Sequence, residues 1–323
     1  MLLSGSDILV KTLIEQGCDT VFGYPGGQIL NVYDSLYKYQ NEINHILTAH
    51  EQGAAHAADG YARATGKVGV VISTSGPGAT NLVTGIATAY LDSIPLVAIC
   101  GNVPTTQIGT DSFQEIDITG VTLPITKHNY FVSDAADLAD TIRAAFKLAK
   151  SGRPGPVLID VPKDVQIAKC EYKVMPPVEK DEPFAAKDVR IKEAVGIINS
   201  AKRPFVYLGG GVITADAQDE VLALAEKIDA PIGCSLMGIS AVPTDNPRFL
   251  GMQGMHGHYA SSMSMHNADV IISLGVRFND RVTGNRAKFA TGAKIVHIDI
   301  DGSELNKTVN SVCGLRGDVK LTL

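Results

Sequence analysis

The chain lacks the features of proteins that bind polyanions or cross membranes. Its 323 residues carry a net charge of −6, and no run of apolar residues approaches the roughly 20 that a membrane-spanning helix needs. Binding to nucleic acid or to an anionic membrane requires a clustered basic face, for which this charge balance gives no sign. The sequence therefore predicts a globular protein that binds neither nucleic acid nor membrane and acts on small molecules.

Disulfide and zinc frameworks are also missing. Cys18, Cys100, Cys170, Cys234 and Cys313 are odd in number, far apart and form no C-x-x-C pair, so neither kind of framework is indicated. The N-terminal segment has no basic stretch before an apolar run, as a secretory signal peptide would. We expect a protein of the reducing cytoplasm.

Short, β-rich apolar runs alternate with longer helical patterns along the chain. The runs are TVFGY, KVGVVIST, PLVAICG and GPVLIDV in the first half and PFVYLGGG, DAPIGCS, DVIISLG and KIVHIDID in the second. This alternation is typical of parallel strands with crossover helices. The intervening CEYKVMPPVEKDEPFAAK has three prolines and no period, which indicates a linker. We predict two α/β domains with doubly wound parallel sheets, at residues 1–169 and 188–323, and a linker at residues 170–187.

Three segments of the first domain place small residues where a strand gives way to a helix. Glu51 opens the helix of HEQGAAHAADGYARATG, but a glutamate in the first turn also compensates the helix dipole, so its position alone leaves a catalytic and a capping role open. STSGPGATN lies at the carboxyl end of a strand, where α/β sheets bind ligands, although a tight turn that needs glycine explains it equally well. YPGGQILNVYDSL repeats the arrangement. Together, the three segments predict a lined pocket.

The second domain has two weaker signals. Gly209–Gly211 follow the strand PFVYL and precede a helix, as a phosphate-binding turn does, but they do not match G-x-G-x-x-G and fit a permissive turn as well. His256, His258 and His266 are interleaved with methionines, which suggests a soft-metal site. Because no cysteine is nearby and methionines commonly fill cores or line flavin pockets, we expect no metal there.

Several motifs together resemble a known family. YPGG, HEQGAAHAADGYARATG, STSGPGATN, GTDSFQE and SGRPGPVLIDVPKD occur in the order and at the spacing of enzymes that use thiamin diphosphate (ThDP) for decarboxylation and carboligation. GTDSFQE, SLMG, GMHG and GVRFNDRVTG are most similar to catalytic subunits of the biosynthetic, FAD-containing acetolactate (acetohydroxyacid) synthases. The resemblance covers essentially the whole chain. It implies a ThDP pyrimidine-binding first domain and a Rossmann-like central FAD-binding domain.

The resemblance also implies roles for individual residues. In that family a glutamate hydrogen-bonds the aminopyrimidine ring of ThDP and promotes removal of the thiazolium proton, a role that falls on Glu51. Phe113 and Gln114 would face the reacting carbons, and Arg281, oriented by Asp280, would receive the carboxylate of the acceptor keto acid, which a guanidinium fork fits. The other implied ThDP and substrate-channel residues are Pro25, Gly26, Pro77, Asn81, Ser93, Lys127 and Lys163. For both lysines, a solvated surface position remains an equal alternative.

For FAD, which the family binds in an extended form, the resemblance implies a second set of contacts. It consists of Arg153, Gly209, Gly210, Gly211, Leu236, Met237, Gly238, Gly254, Met255, His256, Gly275, Val276, Arg277, Asp299 and Ile300. Of these, Asp299 suits a ribose hydroxyl. The sequence departs from the family pattern at Asn279, where an aspartate is usual, and at Gln253, where a leucine is usual. Neither change removes a group that the chemistry needs.

The implied activity is decarboxylation of pyruvate and its ligation to a second 2-keto acid, pyruvate or 2-ketobutyrate, in branched-chain amino acid biosynthesis. The products are 2-acetolactate and 2-aceto-2-hydroxybutyrate. The family also implies a homo-oligomer, dimer or tetramer, and a small regulatory subunit. Its third domain binds the cofactor's diphosphate through Mg²⁺ at a GDG…N motif, and nothing like that motif occurs between residues 230 and 323. We therefore expect a truncated or split enzyme whose isolated chain binds ThDP poorly.

Two other functions remain open. One is a non-catalytic, flavin-binding module that associates with full-length subunits. The other is a different FAD-containing ThDP enzyme, such as a pyruvate oxidase-like protein, which should share Glu51 but not GTDSFQE and RFNDRVTG.

Overall fold

The computed structural model describes all 323 residues, which form two compact units: unit 1, Met1–Asp181, and unit 2, Glu182–Leu323. The boundary between them falls within residues 170–187, the stretch predicted as a linker. None of the helices combines the length and the apolarity needed to cross a lipid bilayer.

Unit 1 contains eight strands and eight helices. The strands are β1 (Leu2–Ser4), β2 (Thr20–Gly23), β3 (Asn44–Leu47), β4 (Gly69–Ser73), β5 (Leu96–Asn102), β6 (His128–Phe131), β7 (Pro156–Pro162) and β8 (Lys169–Glu171). The helices are α1 (Gly5–Glu15), α2 (Leu30–Lys38), α3 (Glu51–Thr65), α4 (Pro77–Asn81), α5 (Val83–Asp92), α6 (Ile118–Thr122), α7 (Leu138–Lys150) and α8 (Lys163–Ile167).

Six strands of unit 1 form one parallel sheet in the order β3-β2-β4-β5-β7-β6. The chain runs from β2 out to β3 and then back past β2 to β4, so the strand order reverses between β2 and β4. In open α/β sheets, ligands bind at the carboxyl ends of the strands beside such a reversal. Strands β1 and β8 pair antiparallel in a separate sheet, so the first residues of the predicted linker lie in regular structure.

The centre of this sheet is covered on both faces. Every residue of β4, β5 and β7 is buried, which explains why these strands read as continuous apolar runs rather than alternating patterns. Successive side chains point to opposite faces, so Val157, Ile159 and Val161 pack into the core that contains the apolar residues of α1 and α7.

Unit 2 contains six strands and six helices. The strands are β9 (Pro204–Leu208), β10 (Ile232–Cys234), β11 (Phe249–Met252), β12 (Val270–Leu274), β13 (Lys294–Asp299) and β14 (Cys313–Arg316). The helices are α9 (Asp188–Asn199), α10 (Gly210–Thr214), α11 (Gln218–Lys227), α12 (Tyr259–Asn267), α13 (Asp280–Thr283) and α14 (Val319–Thr322).

The sheet of unit 2 is also parallel throughout, in the order β11-β10-β9-β12-β13-β14. Counted along unit 2, this is the order 3-2-1-4-5-6, in which dinucleotide-binding sheets receive their ligand between the first and fourth strands. That position lies between β9 and β12. The two sheets confirm the predicted α/β class with doubly wound parallel architecture.

Two apolar clusters cover the two faces of this second sheet. Val206, Ile272 and Val296 belong to one cluster, and their neighbours Phe205 and Ile271 belong to the other. The alternation along each strand therefore divides the side chains between two cores, so the sheet is buried on both sides.

Candidate functional site

Glu51 is the first residue of α3 and is 8% exposed. The cap of this helix is His50, whose Nδ1 accepts a hydrogen bond from the Gln52 amide at 3.1 Å. The Glu51 carboxylate instead accepts a hydrogen bond at Oε2 from Asn81 Nδ2, at 2.9 Å, and no protein donor reaches Oε1. Because another residue supplies the cap, capping does not explain why this carboxylate is buried.

The three glycine-containing segments meet around this carboxylate. A Cβ atom built at Gly78 would lie 3.1 Å from Glu51 Oε1 and 2.7 Å from Thr74 Cγ2. One built at Gly26 would lie 2.5 Å from Thr74 Cγ2, and Thr74 Oγ1 accepts a hydrogen bond from the Gln28 amide at 3.2 Å. Glycine is therefore needed on both sides of Thr74, and the loops after β2 and β4 close on each other at the reversal of the sheet.

Most of the small residues in α3 pack against protein and do not form an open surface. A Cβ atom built at Gly85 of α5 would lie 2.3 Å from Ala55 Cβ, and one built at Gly69 of β4 would lie 2.2 Å from the Ala58 carbonyl oxygen. The two glycines of α3, Gly53 and Gly60, instead have open space in front of them. The Ala and Gly content of α3 thus brings α5 and β4 close enough to hold Glu51 and Asn81 together.

The GTDSFQE segment approaches the loop after β4. Gln114 has a left-handed backbone, with φ of 61°, and its carbonyl oxygen would lie 2.7 Å from a Cβ atom built at Gly76. Glu115 fixes the shape of the segment by accepting hydrogen bonds from the Gly109 amide and, at 3.1 Å, from the Ser112 amide. Phe113, in the middle of the segment, is 84% exposed.

The structure also locates the other residues that the sequence assigns to ThDP. Pro25 follows β2, and Pro77 is the first residue of α4. Lys163 Nζ donates to the Gly27 carbonyl oxygen at 3.2 Å, which ties it to the YPGG turn. Lys127 Nζ donates to the carbonyl oxygens of Leu148 and Ser151, the latter at 2.7 Å, at the carboxyl end of α7.

Ser93 and Arg153, which the sequence assigns to different cofactors, contact each other within unit 1. Arg153 Nε donates to Ser93 Oγ at 2.8 Å. Ser93 ends α5 in the left-handed conformation, with φ of 61°, where glycine is usual. The hydrogen bond accounts for a serine at this position.

A buried polar group near the same end of the sheet is not evident from the sequence. Asp160 of β7 pairs in register with Cys100 of β5, which pairs with Ser73 of β4, and all three are at most 3% exposed. Asn102 Nδ2 donates to Asp160 Oδ2 at 2.7 Å, whereas Oδ1 has no partner. Burial raises the pKa of Asp160 to about 7. Only the register of three strands reveals this cluster.

In unit 2, the turns after β9 and β12 contact each other through their backbones. A Cβ atom built at Gly209 would lie 2.0 Å from the Gly275 carbonyl oxygen, and one built at Gly211 would lie 2.6 Å from Gly275 Cα. The Gly211 amide donates to the Gly275 carbonyl oxygen at 3.1 Å, and Gly275 has φ of 56°. The glycines thus let the two turns pack backbone against backbone, and we call this side-chain-free junction of Gly209, Gly211 and Gly275 the crevice.

The remaining residues that the sequence assigns to FAD lie mainly on loops that follow strands. Leu236, Met237 and Gly238 form a short 3-10 turn after β10, and Asp299 ends β13, where Oδ1 accepts a hydrogen bond from the Asp301 amide at 2.8 Å. Val276 is 1% exposed, so only its backbone can meet a ligand. The others are Gly210, Gly254, Met255, His256, Arg277 and Ile300, of which Met255 and His256 are exposed.

Arg281 is tied to the GMHG loop through its backbone. The Met255 amide donates to the Arg281 carbonyl oxygen at 2.8 Å. The Arg281 guanidinium lies 3.9 Å from Asp280, and both side chains are well exposed. Of the two departures from the family pattern, Asn279 caps α13 through the Val282 amide, and Gln253 is buried with its amide nitrogen bonded to Ser261.

Two family models match the chain. Residues 3–121 match the thiamine pyrophosphate enzyme N-terminal TPP binding domain, and residues 191–323 match the thiamine pyrophosphate enzyme central domain. Thiamine pyrophosphate is another name for ThDP.

Curated relatives match over nearly the full length of the chain. The acetolactate synthase isozyme 3 large subunit of Escherichia coli is 48% identical over 100% of this chain and 57% of its own length. A probable acetolactate synthase large subunit of Methanocaldococcus jannaschii is 49% identical over 99% of the chain and 55% of its own length. The acetolactate synthase large subunit of Haemophilus influenzae is 43% identical, over 99% and 57% respectively. The chain thus spans somewhat more than half the length of these relatives.

Proposed function

Because the chain belongs to the thiamine pyrophosphate enzyme family, with the N-terminal TPP binding domain and the central domain of that family, we propose that it is part of an acetolactate synthase catalytic subunit. The proposed reaction is decarboxylation of pyruvate and ligation to a second 2-keto acid, pyruvate or 2-ketobutyrate. The products would be 2-acetolactate or 2-aceto-2-hydroxybutyrate. The reaction would serve branched-chain amino acid biosynthesis.

The buried Glu51 carboxylate is the observation that carries this proposal. Asn81 occupies Oε2, which leaves Oε1 to exchange a hydrogen bond with the aminopyrimidine ring of ThDP. Gly26 and Gly78 keep side chains out of the space beside Thr74 and Glu51. In a site that excludes water, a hydrogen bond to a carboxylate is stronger than in solvent. When bound, ThDP would supply the acidic carbon and the electron sink.

Other residues of unit 1 would support this carboxylate. Pro25 and Pro77 belong to the loops that enclose it, and Lys163 holds the YPGG turn through the Gly27 carbonyl oxygen. Phe113 and Gln114 would exclude water above the reacting atoms, since Gln114 is already packed against the loop after β4. Ser93 and Lys127 would act indirectly through the backbone and side-chain contacts that the structure gives them.

The residues of unit 2 fit a dinucleotide such as FAD. Gly209, Gly211 and Gly275 carry no side chains at the strand reversal between β9 and β12, where the two turns meet. A pyrophosphate needs turns that are free of side chains, so that it can approach the backbone closely. Asp299 at the end of β13 would bind a ribose hydroxyl. We propose that FAD has a mainly structural role here.

Arg281 would bind the carboxylate of the acceptor keto acid. Its guanidinium is exposed and has a single, long contact with Asp280, so its donors are available for a planar carboxylate. Mg²⁺ and the ThDP diphosphate would be held by a third domain outside these 323 residues.

The proposed partners are further copies of the chain and a small regulatory subunit, since the relatives are named large subunits. We propose a cytoplasmic location, which the five free cysteines support because four of them are buried thiols that a reducing environment preserves.

Carboligation assays test the proposal directly. The purified chain would be incubated with pyruvate, ThDP, Mg²⁺ and FAD, alone and with the separately produced C-terminal domain of the Escherichia coli relative. We expect acetolactate only with the added domain. Activity of the chain alone would exclude a non-catalytic flavin-binding module, and no activity under either condition would exclude a split enzyme. Formation of acetyl phosphate or acetate in place of acetolactate would favour a pyruvate oxidase-like enzyme.

Glu51→Gln should lower the rate of the complemented reaction by about 10²–10⁴-fold, the contribution expected of a general acid or base. Glu42→Gln is the matched control, because Glu42 is exposed in the same unit and should leave the rate unchanged. Full activity of the Glu51→Gln variant would refute the assignment of the catalytic carboxylate.

A further inference from the structure

Three polar side chains lie next to one another in the sheet of unit 2. Tyr207, Ser273 and His297 occupy β9, β12 and β13, and the strand register pairs Ser273 with Tyr207 on one side and with His297 on the other. Residues paired across parallel strands point to the same face. All three residues are buried, with at most 1% of their surface exposed. We call this set the polar row.

Each member of the polar row has an atom without a protein partner: Tyr207 Oη, Ser273 Oγ and His297 Nδ1. Buried polar groups are nearly always hydrogen-bonded, because an unpaired one pays its full desolvation penalty. Three unpaired atoms at one register therefore require a partner. Internal water commonly makes about three hydrogen bonds to buried groups of this kind.

The tautomer of His297 follows from its one hydrogen bond. Its Nε2 lies 2.9 Å from the Val276 carbonyl oxygen, which can only accept, so Nε2 carries the hydrogen. Burial lowers the pKa of His297 below its usual value, so the ring is neutral near pH 7 and Nδ1 is an acceptor. The two hydroxyl groups of the row can donate. A bridging water molecule can therefore donate a hydrogen bond to His297 Nδ1 and accept hydrogen bonds from the hydroxyl groups of Tyr207 and Ser273.

The polar row lies directly below the crevice. Tyr207 and Ser273 each stand two residues before a crevice glycine, Gly209 and Gly275, on their own strands. Phe278, 5% exposed, ends the turn that begins at Gly275 and packs over the row, with its ring centroid 5.9 Å from that of Tyr207 and 5.3 Å from that of His297. His297 thus contacts this turn twice, at the Val276 carbonyl oxygen and at the Phe278 ring.

We propose that His297 is a positioning residue for dinucleotide binding, which holds the turn at residues 275–278 against Gly209–Gly211, and that water shared with Ser273 and Tyr207 completes its hydrogen bonding. The inference rests on the proposed binding of FAD in unit 2. His297 acts through the Val276 backbone and the Phe278 ring, and its Nε2 also lies 3.9 Å from Asp299 Oδ2.

FAD titration of the purified chain by calorimetry tests the positioning role. His297→Leu removes the donor to Val276 and should weaken FAD binding by about tenfold, the effect of one lost hydrogen bond to a buried acceptor. His297→Gln retains an amide donor at the position of Nε2 and should restore most of the affinity. Val296→Ala is the matched control, because Val296 is buried on the opposite face of the same strand and should lower stability without changing FAD affinity.

Equal FAD affinity of the wild-type and His297→Leu chains would overturn the proposal. So would an equal loss in the Leu and Gln variants, or a loss in Val296→Ala as large as that in His297→Leu, since either would show a general effect on folding.

Thermal unfolding tests the water in the polar row. Tyr207→Phe removes only the unpaired hydroxyl group, so a dry site should become more stable, whereas a hydrated one should lose a hydrogen bond and melt ~2–4 °C lower. We expect the lower melting temperature, and the same sign for Ser273→Ala. Nitrogen chemical shifts should also show His297 as the neutral tautomer with hydrogen on Nε2. A raised melting temperature in both variants, or hydrogen on Nδ1, would refute the proposed row.

These measurements separate the two proposals. If the wild-type chain binds no FAD, the proposed cofactor fails and the positioning role fails with it, whereas the hydrated row is still decided by unfolding and nitrogen shifts. If the wild-type chain binds FAD and the His297 variants bind it equally well, only the positioning role fails.

Discussion

Unit 1 and unit 2 each contain a six-stranded parallel sheet, and in each the strand reversal beside the first strand of the sheet, β2 or β9, is lined with glycine turns. In unit 1 the turns enclose a side chain, the buried carboxylate of Glu51, which Asn81 holds. In unit 2 the turns enclose only each other's backbone, and the charged pair Asp280–Arg281 is exposed. The same architecture would thus serve the two proposed roles: a proton-transferring group requires a fixed side chain in a dry pocket, and an extended cofactor requires backbone that it can approach closely.

The largest effect that separates the units is expected at their glycines. Gly209→Ala would place Cβ 2.0 Å from the Gly275 carbonyl oxygen, although the extended backbone of Gly209 itself tolerates alanine. Because backbone must move, we expect unit 2 to lose about 3 kcal/mol or more of unfolding free energy, together with FAD binding. Gly210→Ala, where the nearest atom is Met237 Cβ at 3.2 Å, should cost far less. Calorimetric unfolding measures both.

In unit 1, a second substitution should compensate for replacement of the corresponding glycine, Gly78, because the nearest neighbour of Gly78 is a side chain. A Cβ atom at Gly78 would meet Thr74 Cγ2 at 2.7 Å. Thr74→Ser removes that methyl group and keeps the oxygen that binds the Gln28 amide. We therefore expect Thr74→Ser to recover much of the stability lost in Gly78→Ala. Failure of this rescue, or a mild effect of Gly209→Ala, would remove the proposed distinction between side-chain and backbone packing.

The next largest difference between the two units is expected in how their stability depends on pH. Burial raises the pKa of Asp160 to about 7, well above its value in an unfolded chain. A raised carboxyl pKa means that the folded state binds the proton more tightly than the unfolded chain does. The contribution of protonated Asp160 to the free energy of unfolding is therefore complete below about pH 4 and is lost as pH rises to about 7. Asp160→Asn should therefore stabilise unit 1 by a few kcal/mol at pH 8, at ~1.4 kcal/mol per pKa unit, and by little at pH 4. Asp34→Asn, at an exposed site, is the control.

Unit 2 should respond in the opposite direction through His297. Its pKa is lowered by burial, so the folded state binds the proton less tightly than the unfolded chain. The contribution of neutral His297 to the free energy of unfolding is therefore complete above about pH 6.5 and is lost as pH falls through the pKa of the folded state. Hydrogen exchange resolved by peptide, between pH 5 and 8, should show the two trends separately. Parallel trends in the two units would contradict the assigned buried groups.

The sequence predicts the central strands better than the edges. Strands β4, β5 and β7 are continuous apolar runs, because both faces of the sheet are covered. Strand β3, at an edge and mostly exposed, carries no such signal, and the sequence does not predict it. The pairing of β1 with β8 joins residues about 170 positions apart, which no local pattern can encode.

For the candidate site, the sequence indicates which segments matter but not how their side chains are paired. It predicts that the loops around Gly26, Gly78 and Glu51 line one pocket, and the structure brings these loops together. It does not predict that His50, rather than Glu51, caps α3, since either residue type suits a helix start. The polar row is also hidden, because Tyr207, Ser273 and His297 become neighbours only through the register of three strands.

The smallest stability effect is expected at Asp280 and Arg281. Their side chains are 71% and 64% exposed and 3.9 Å apart, so Asp280→Asn should change the unfolding free energy by less than about 0.5 kcal/mol, as is usual for exposed ion pairs. Arg281→Lys should be equally mild for stability. If Arg281 binds the acceptor carboxylate as a planar fork, however, the lysine variant should raise the KM for 2-ketobutyrate in the complemented assay, because a point charge cannot make the bidentate contact. Arg286→Lys, on an exposed turn nearby, is the matched control. An unchanged KM would show that the exposed charges of unit 2 do not bind substrate, whereas a large loss of stability would show that they are not free to do so.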